Sequence, residues 1–224
     1  MEVSDKVAFF DFCETLVDFQ TAGAFVDFVR EEINDRRVNF RNLCFVYLRK
    51  LRIISLIDQK THWKYSLNKR LKLYQLKGLD IKLLEHLAER YYIEKIRVKF
   101  IPDVLNKLKE LQVEGFSVGL VSGGYGIYLK YFVEEFGLQF CYSSNVGFSN
   151  GKCTGQMSGP DCMRENKVLI LKEKYGTPPA ESFAFSDSIS DLPLLQWVAK
   201  GIVVSHGRHQ HWIDNHQLNE IIWD

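Results

Sequence analysis

The stretch Val7-Ala8-Phe9-Phe10 is apolar without alternation, and it delivers one aspartate, Asp11, before the chain turns polar at Glu14-Thr15. An unbroken apolar run of strand length belongs to a strand buried on both faces, as in a parallel sheet with helices on either side. Two more runs follow at long intervals. Phe116-Ser117-Val118-Gly119-Leu120-Val121 ends at Ser122-Gly123-Gly124, and Ser182 to Phe185 leads into Ser186-Asp187-Ser188. Helical texture separates them: Pro102 to about Leu111, Tyr125 to about Phe136 with Gly137 as its stop, Asn166 to Tyr175, and Leu192 to Val198. Phe140 to Val146 and Gly201 to Val204 read as further strands. GFSNGKCTGQMSG reads as a turn-rich excursion with room for a hairpin. This alternation defines an α/β fold with a Rossmann-like, mainly parallel sheet core.

One block breaks the rhythm. From Thr21 to about Arg97 there is no proline and only two glycines, Gly23 and Gly78, and apolar residues recur at three- and four-residue spacing. Phe25, Val26, Val29 and Ile33 form one such stripe; Leu43, Val46, Tyr47 and Leu51 form another, and Leu79, Leu83, Leu84 and Leu87 a third. The block is too long for a simple crossover. It predicts three or four helices packed as an inserted α-helical cap domain, with residues 19–98 as cap and residues 1–18 and 99–224 as core.

Charge is distributed unevenly along the chain. The net charge is +1, yet Arg36 to Lys77 holds twelve Lys/Arg against one acid, Asp58, leaving −10 for the remainder. A basic segment suits an anion, and an acidic remainder can hold a cation. The five cysteines, Cys13, Cys44, Cys141, Cys153 and Cys162, are odd in number and include no C-x-x-C pair, which favours reduced thiols and a cytoplasmic setting. No stretch approaches the roughly 20 apolar residues of a membrane span. MEVSDKVAFF has neither the basic region nor the long apolar segment of a signal peptide.

In parallel α/β sheets the chemistry gathers outside the C-terminal ends of the strands. Three of those ends carry Asp11, Ser122 and the pair Asp187/Asp191, with Lys167 at the start of a helix between them. Carboxylates collected on one edge repel each other unless a cation neutralises them, and hard oxygen ligands suit Mg²⁺. A carboxylate can also act as a nucleophile and form an aspartyl phosphate. Phosphoryl transfer then needs positive charge and donors on the non-bridging oxygens. Lys167, the Ser122 hydroxyl and the N–H groups around Gly123-Gly124 can supply them.

These residues resemble the haloacid dehalogenase superfamily, in particular its phosphoserine-phosphatase-like branch. DFCETLV matches the motif D-x-D-x-T-L except at its third position, and GLVSGG matches the strand ending in Ser or Thr. Lys167 matches the family lysine, SDSISDLPLL matches G-D-S-x-x-D-x-P, and GKCTGQMSGPDCMRENK is similar to the glycine-spaced segment leading to that lysine. The resemblance implies a Mg²⁺-dependent phosphomonoesterase acting on a phosphorylated small molecule. Asp11 would be nucleophile and metal ligand, and Asp187 a second ligand. The Cys13 carbonyl would be a third, and Asp191 would hold metal-bound water or Lys167. Ser122, Gly123 and Lys167 would bind the phosphoryl group, while Thr15 would fix the loop after the strand.

Cys13 departs from that pattern, because the family's phosphatases carry a proton-shuttling aspartate there. A thiol titrates near ~8.5 and a carboxyl near ~4, so Cys13 can donate a proton but is a poor base while it remains a thiol. General acid–base help is worth about 10²–10⁴-fold, so turnover should be slow on generic substrates. Three readings stay open: a phosphatase using Cys13, Glu14 or the substrate itself for proton transfer; a phosphotransferase; or a phospho-ligand-binding module with impaired catalysis. A true dehalogenase also lacks the second aspartate, but such enzymes need no Mg²⁺, and this chain keeps Asp187 and Asp191.

Arg36, Arg37, Arg41, Arg49, Lys50 and Arg52 suggest a strongly anionic substrate, such as a phosphorylated sugar acid, a nucleotide-linked sugar or a phospholipid headgroup. FRNLCFVYLRKLRIISLI is also basic and amphipathic, as membrane-surface helices are. A cap bundle needs that same stripe for its own core, so neither a membrane nor nucleic acid is expected as a partner, and the oligomeric state is left open. His206, His209, His211 and His216 have no standard zinc spacing and read as a solvated loop.

Overall fold

The structure, a computed structural model, describes residues 5–60 and 66–224 of the chain. The first four residues and residues 61–65, the latter inside the predicted helical block, lie outside the described residues.

The central strand is β1 (Lys6–Phe10), in which Ala8, Phe9 and Phe10 are fully buried. The other strands are β2 (Ser117–Tyr125), β3 (Phe140–Ser149), β4 (Lys152–Ser158), β5 (Glu181–Ser186), β6 (Lys200–His206) and β7 (Asn219–Trp223). They form one seven-stranded sheet in the order β4-β3-β2-β1-β5-β6-β7, parallel except for the β3–β4 pair. After β1 the helices are α1 (Thr21–Ile33), α2 (Arg36–Lys50), α3 (Ile53–Lys60), α4 (Leu67–Tyr74) and α5 (Ile81–Tyr91). The remaining α-helices are α6 (Pro102–Val113), α7 (Gly126–Phe136), α8 (Glu165–Tyr175), α9 (Leu192–Trp197) and α10 (Trp212–His216). Apolar side chains fill both sides of the sheet, with Phe10 stacked on Phe185 in one layer and Phe9 packed against Tyr175 and Trp197 in the other.

Topology explains why residues distant in sequence meet. The chain leaves β1, returns as β2 on one side, and later as β5 on the other, so β1 lies at the point where strand order reverses. Phe10 sits opposite both Leu120 and Phe185. The next residue, Asp11, therefore emerges beside the ends of β2 and β5, with its N–H donated to the Phe185 carbonyl at 2.9 Å.

Some elements differ from the sequence reading. β2 continues through Ser122-Gly123-Gly124 to Tyr125 instead of stopping at Ser122, because the pairing with β3 shifts register between Ser122 and Tyr125. The turn-rich excursion is the β3–β4 hairpin, turned by Asn150 and Gly151 at φ 50° and 73°, the backbone of a two-residue hairpin turn. Glu220 to Trp223, for which the sequence indicates no element, pair in parallel with β6 as an edge strand. The histidine loop contains α10, and His209 bridges Asp214 and Glu220 at 3.0 and 2.5 Å. Gly137 stops α7 as expected, at φ 59°.

The helical block contains five α-helices among the described residues, not three or four. Arg52, at φ 58°, breaks the run between α2 and α3. Asp35 and Asp80 cap α2 and α5, and the carboxylate of Asp58 accepts the first N–H groups of α4 from Leu67 and Asn68 at 2.7 and 3.2 Å. The first stripe packs as expected, with Phe25, Val26 and Val29 fully buried. The second does not: Leu43, Val46, Tyr47 and Leu51 are exposed. α2 carries apolar residues around most of its circumference and buries Val38 and Phe45 instead, so the core does not need that stripe.

Candidate active site

The residues delivered by β1, β2, β5 and the start of α8 line one cavity of about 620 Å³ beneath the helical block. At its floor the Lys167 ammonium lies 2.9 Å from Asp11 Oδ1 and 2.5 Å from Asp191 Oδ2. Lys167 lies at the start of α8, where its side chain is buried against the sheet edge; Asp191 closes a short 3₁₀ turn, Ile189–Asp191, after β5. Ser186 Oγ donates to the same Asp191 oxygen at 2.7 Å. Burial works against the charge on Lys167, but Asp11 and Asp191 together hold its pKa above the ordinary lysine range. For Asp11, burial pushes the pKa up, Lys167 pulls it down, and Asp191 pushes it up again.

Asp187 is tied to the loop after β1. Its N–H donates to Thr15 Oγ1 at 3.0 Å, and the Thr15 hydroxyl donates to Asp187 Oδ1 at 3.2 Å. Burial, followed by Asp11, Glu14 and Asp191, pushes the Asp187 carboxyl up to about 7. That crowding of negative charge is what a divalent cation relieves, and the carboxylates of Asp11 and Asp187 are the hard oxygen donors that would suit Mg²⁺. Among the described residues, no ready-made cluster of three or more His, Cys, Asp or Glu ligands is present. Ser122 is fully buried at the cavity wall, where its Oγ accepts the Gly124 N–H at 3.2 Å.

Cys13 sits in a hydrogen-bonded recess. Its Sγ lies 3.0 Å from Thr21 Oγ1 and accepts the Thr21 N–H at 3.4 Å; Thr21 Oγ1 is in turn 2.7 Å from the Tyr128 hydroxyl. Burial first, then Asp11, pushes the thiol up to about 11, and burial raises Tyr128 well above its usual value. The network is therefore uncharged at neutral pH. Glu14, the other acid considered for proton transfer, lines the cavity and accepts Gln20 Nε2 at 2.5 Å.

The site also holds residues that sequence reasoning missed. Of the six arginines and lysines singled out in the basic run, Arg49 lines the cavity. Arg41 instead binds the Gln75 and Lys77 carbonyls, at 3.1 and 2.5 Å. The cavity's other cations are Lys69, Lys72 and Arg164. Lys69 donates to the Gly123 carbonyl at 2.6 Å, to Ser144 Oγ at 2.9 Å and to Asp161; Lys72 donates to Asp27 at 2.6 Å. Their signal was present in the basic run, but charge alone does not tell which face of a helix looks inward.

A doubly flanked, mainly parallel sheet with acids, a serine and a lysine converging at its switch point is a Rossmann-like α/β fold with a charged cavity at its strand ends. The sequence model of the haloacid dehalogenase-like hydrolase family matches residues 8–196, and the chain belongs to that family. Among named relatives, the phosphoserine phosphatase of Archaeoglobus fulgidus is 27% identical over 143 residues, 62% of this chain and 39% of that protein. That of Streptococcus thermophilus is 27% identical over 62% of each chain, so this chain matches under two thirds of the length of both. The phosphoserine phosphatase of Methanocaldococcus jannaschii is 26% identical over 88% of this chain and 83% of its own. In three dimensions a Bordetella pertussis protein of unknown function superposes with a TM-score of 0.77 at 19% identity, covering 96% of this chain and 97% of its own. A substrate-bound phosphoserine phosphatase complex superposes at 0.64, also at 19% identity, covering 98% and 94%. These likenesses establish the shared fold.

Proposed function

We propose that the protein is a Mg²⁺-dependent phosphomonoesterase that works through a phosphoryl group on Asp11. The observation that carries this reading is the Lys167 ammonium held between Asp11 and Asp191 on the floor of a cavity that Ser122 also lines. Asp11, Asp187 and the Cys13 carbonyl would hold the cation, which when bound neutralises charge on the phosphoryl oxygens. Asp191, engaged by Lys167 and Ser186, positions the lysine.

Asp11 attacks phosphorus, and the bond from phosphorus to the ester oxygen breaks as the bond to Asp11 forms. Lys167 and the Ser122 hydroxyl hold the non-bridging oxygens. The departing oxygen takes its proton from water or from the substrate itself, because burial and Asp11 keep the proton on the Cys13 thiol. Water then attacks phosphorus, the bond to Asp11 breaks, and phosphate leaves. Cys13 cannot take a proton from that water until it has given up its own, so the second step is the slow one. Residues 19–98 act as the cap over this site and select the substrate, a phosphorylated small molecule. Five free cysteines favour a reducing, cytoplasmic setting.

The neutral Cys13–Thr21–Tyr128 network favours one second reading: the site receives a phosphoryl group but hands it to an acceptor other than water, or holds a phosphorylated ligand without turnover. The test is phosphate release from a panel of phosphorylated metabolites with Mg²⁺, with and without candidate alcohol acceptors. Turnover that vanishes in Asp11→Asn supports the phosphatase, and turnover only with an acceptor supports the transferase. Silence on every substrate, with tight phospho-ligand binding, leaves the binding module.

A further inference from the structure

The exposed side of α2 and α3 is not explained by catalysis. Phe40, Leu43 and Tyr47 stand on one side of α2 at 66%, 66% and 62% exposure, and Ile53 and Leu56 follow on α3 at 39% and 58%. Scattered apolar residues are normal on a protein surface, whereas a stripe running across two packed helices marks an interaction site. From Arg36 through Ile57 the chain contains six Lys/Arg and no acid. Arg36, Arg37, Lys50 and Arg52 are exposed around the stripe.

We propose that this face docks on an anionic lipid surface. Aromatic and aliphatic side chains in a basic frame are what an interfacial helix uses: the apolar part enters the headgroup boundary and the cations meet the lipid charge. The charge also selects between occupants. A second copy presenting the same face would bring Arg36, Arg37, Lys50 and Arg52 against the same four cations, with Asp35, paired to Arg37 at 3.3 Å, as the acid beside them, whereas an anionic bilayer complements the net positive charge. No helix among the described residues is long and apolar enough to cross a membrane, so contact is peripheral. The opposite side of α2 carries Phe45 and Arg49 into the cavity wall. Docking therefore sets the cavity within about one helix diameter, ~10 Å, of the headgroups.

The inference goes beyond the catalytic reading and is tested apart from it. The full chain is mixed with vesicles of phosphatidylcholine alone, or of phosphatidylcholine with phosphatidylglycerol, and sedimented at low and high salt. Binding to the anionic vesicles only, weakening as salt rises, is expected. Arg36→Glu/Arg37→Glu should reduce partitioning at least about 25-fold, at roughly one charge's worth of surface attraction per residue. Leu43→Ser/Tyr47→Ser should abolish it, with unchanged melting and unchanged hydrolysis of a soluble aryl phosphate where the wild type shows any. Sedimentation velocity without lipid is run in parallel. No vesicle binding, binding indifferent to both double variants, or a dimer that they dissociate would each overturn the proposal, and none of these results bears on whether Asp11 turns over.

Discussion

Replacing Cys13 by aspartate should speed the proposed hydrolysis, and the structure shows where the new carboxylate would sit. The thiol accepts the Thr21 N–H at 3.4 Å and lies 3.0 Å from the Thr21 hydroxyl, which can donate or accept. A carboxylate rooted at the same Cα can use those donors with one oxygen and present the other to the cavity, which Cys13 also lines. Asp11, which already raises the Cys13 thiol, would raise the new carboxyl as well, toward the protonated state a general acid needs. Restoring a proton shuttle is worth about 10²–10⁴-fold, or ~2.7–5.5 kcal/mol of barrier. The gain should fall on the water step. Acid-quenched wild type would then carry phosphoryl groups on Asp11 at near-stoichiometric levels in the steady state, detected by intact-protein mass, and Cys13→Asp would carry few while releasing phosphate faster. Thermal melting checks that the buried carboxylate has not unfolded the site. Wild type that turns over without accumulating phosphoprotein, together with an intact Cys13→Asp that is no faster, would refute the assignment of Cys13 to the missing step.

Two further predictions follow from buried and exposed charge. Lys167→Met leaves Asp11 and Asp191 facing each other in a buried site and should cost about 3–5 kcal/mol in urea unfolding, with Asp191→Asn in the same chain recovering part of it; a loss under ~1 kcal/mol would contradict the buried clamp. His209 has its pKa raised first by Glu220 and then by Asp214, so its tie to β7 is fully present below the unfolded pKa of ~6.5 and is lost as pH rises through the folded value. For Glu220, burial opposes the charge, but His209 and Ser205 bring the pKa below normal, so its share is lost as pH falls through that lowered value. Intrinsic-rate-corrected hydrogen exchange at Glu220–Ile222 should accordingly be slowest in mildly acidic solution and speed up as pH rises through the raised His209 value, and His209→Gln should remove that rise.

The parts of this molecule legible in its sequence are those governed by short-range rules. An unbroken apolar run requires burial on both faces, so β1, β2 and β5 could be found, and with parallel strands their C-terminal ends had to share an edge. That rule alone places Asp11, Ser122 and Asp187 together. What could not be read depends on which of several suitable faces a helix turns inward. α2 offers apolar residues nearly all round, and its periodic stripe was assigned to the core, yet Val38 and Phe45 are the residues buried. The cavity cations are hidden for the same reason: Lys69 and Lys72 reach inward from α4, while Arg41 binds carbonyls. β7 was missed because an edge strand, covered by few neighbours, needs no strong apolar pattern.

The two halves of the charge imbalance do different work. The acidic remainder supplies the edge of the sheet, where Asp191 raises the proton affinity of Asp11, and both raise that of Asp187, creating a demand for cations that Lys167 meets in part. The basic run does not answer that demand directly. Of its cavity-facing members, Lys69 is matched to Asp161 and Lys72 to Asp27, so these two add little net positive charge there, and Arg49 is the third. Arg36, Arg37, Lys50 and Arg52 lie outside, around an apolar stripe that the fold has no use for. A segment selected only to attract a soluble anion would direct those charges at the cavity. Carrying them outward on the helix whose inner side forms the cavity wall makes sense if substrate capture begins at a charged surface, and α2 is the element that connects the two.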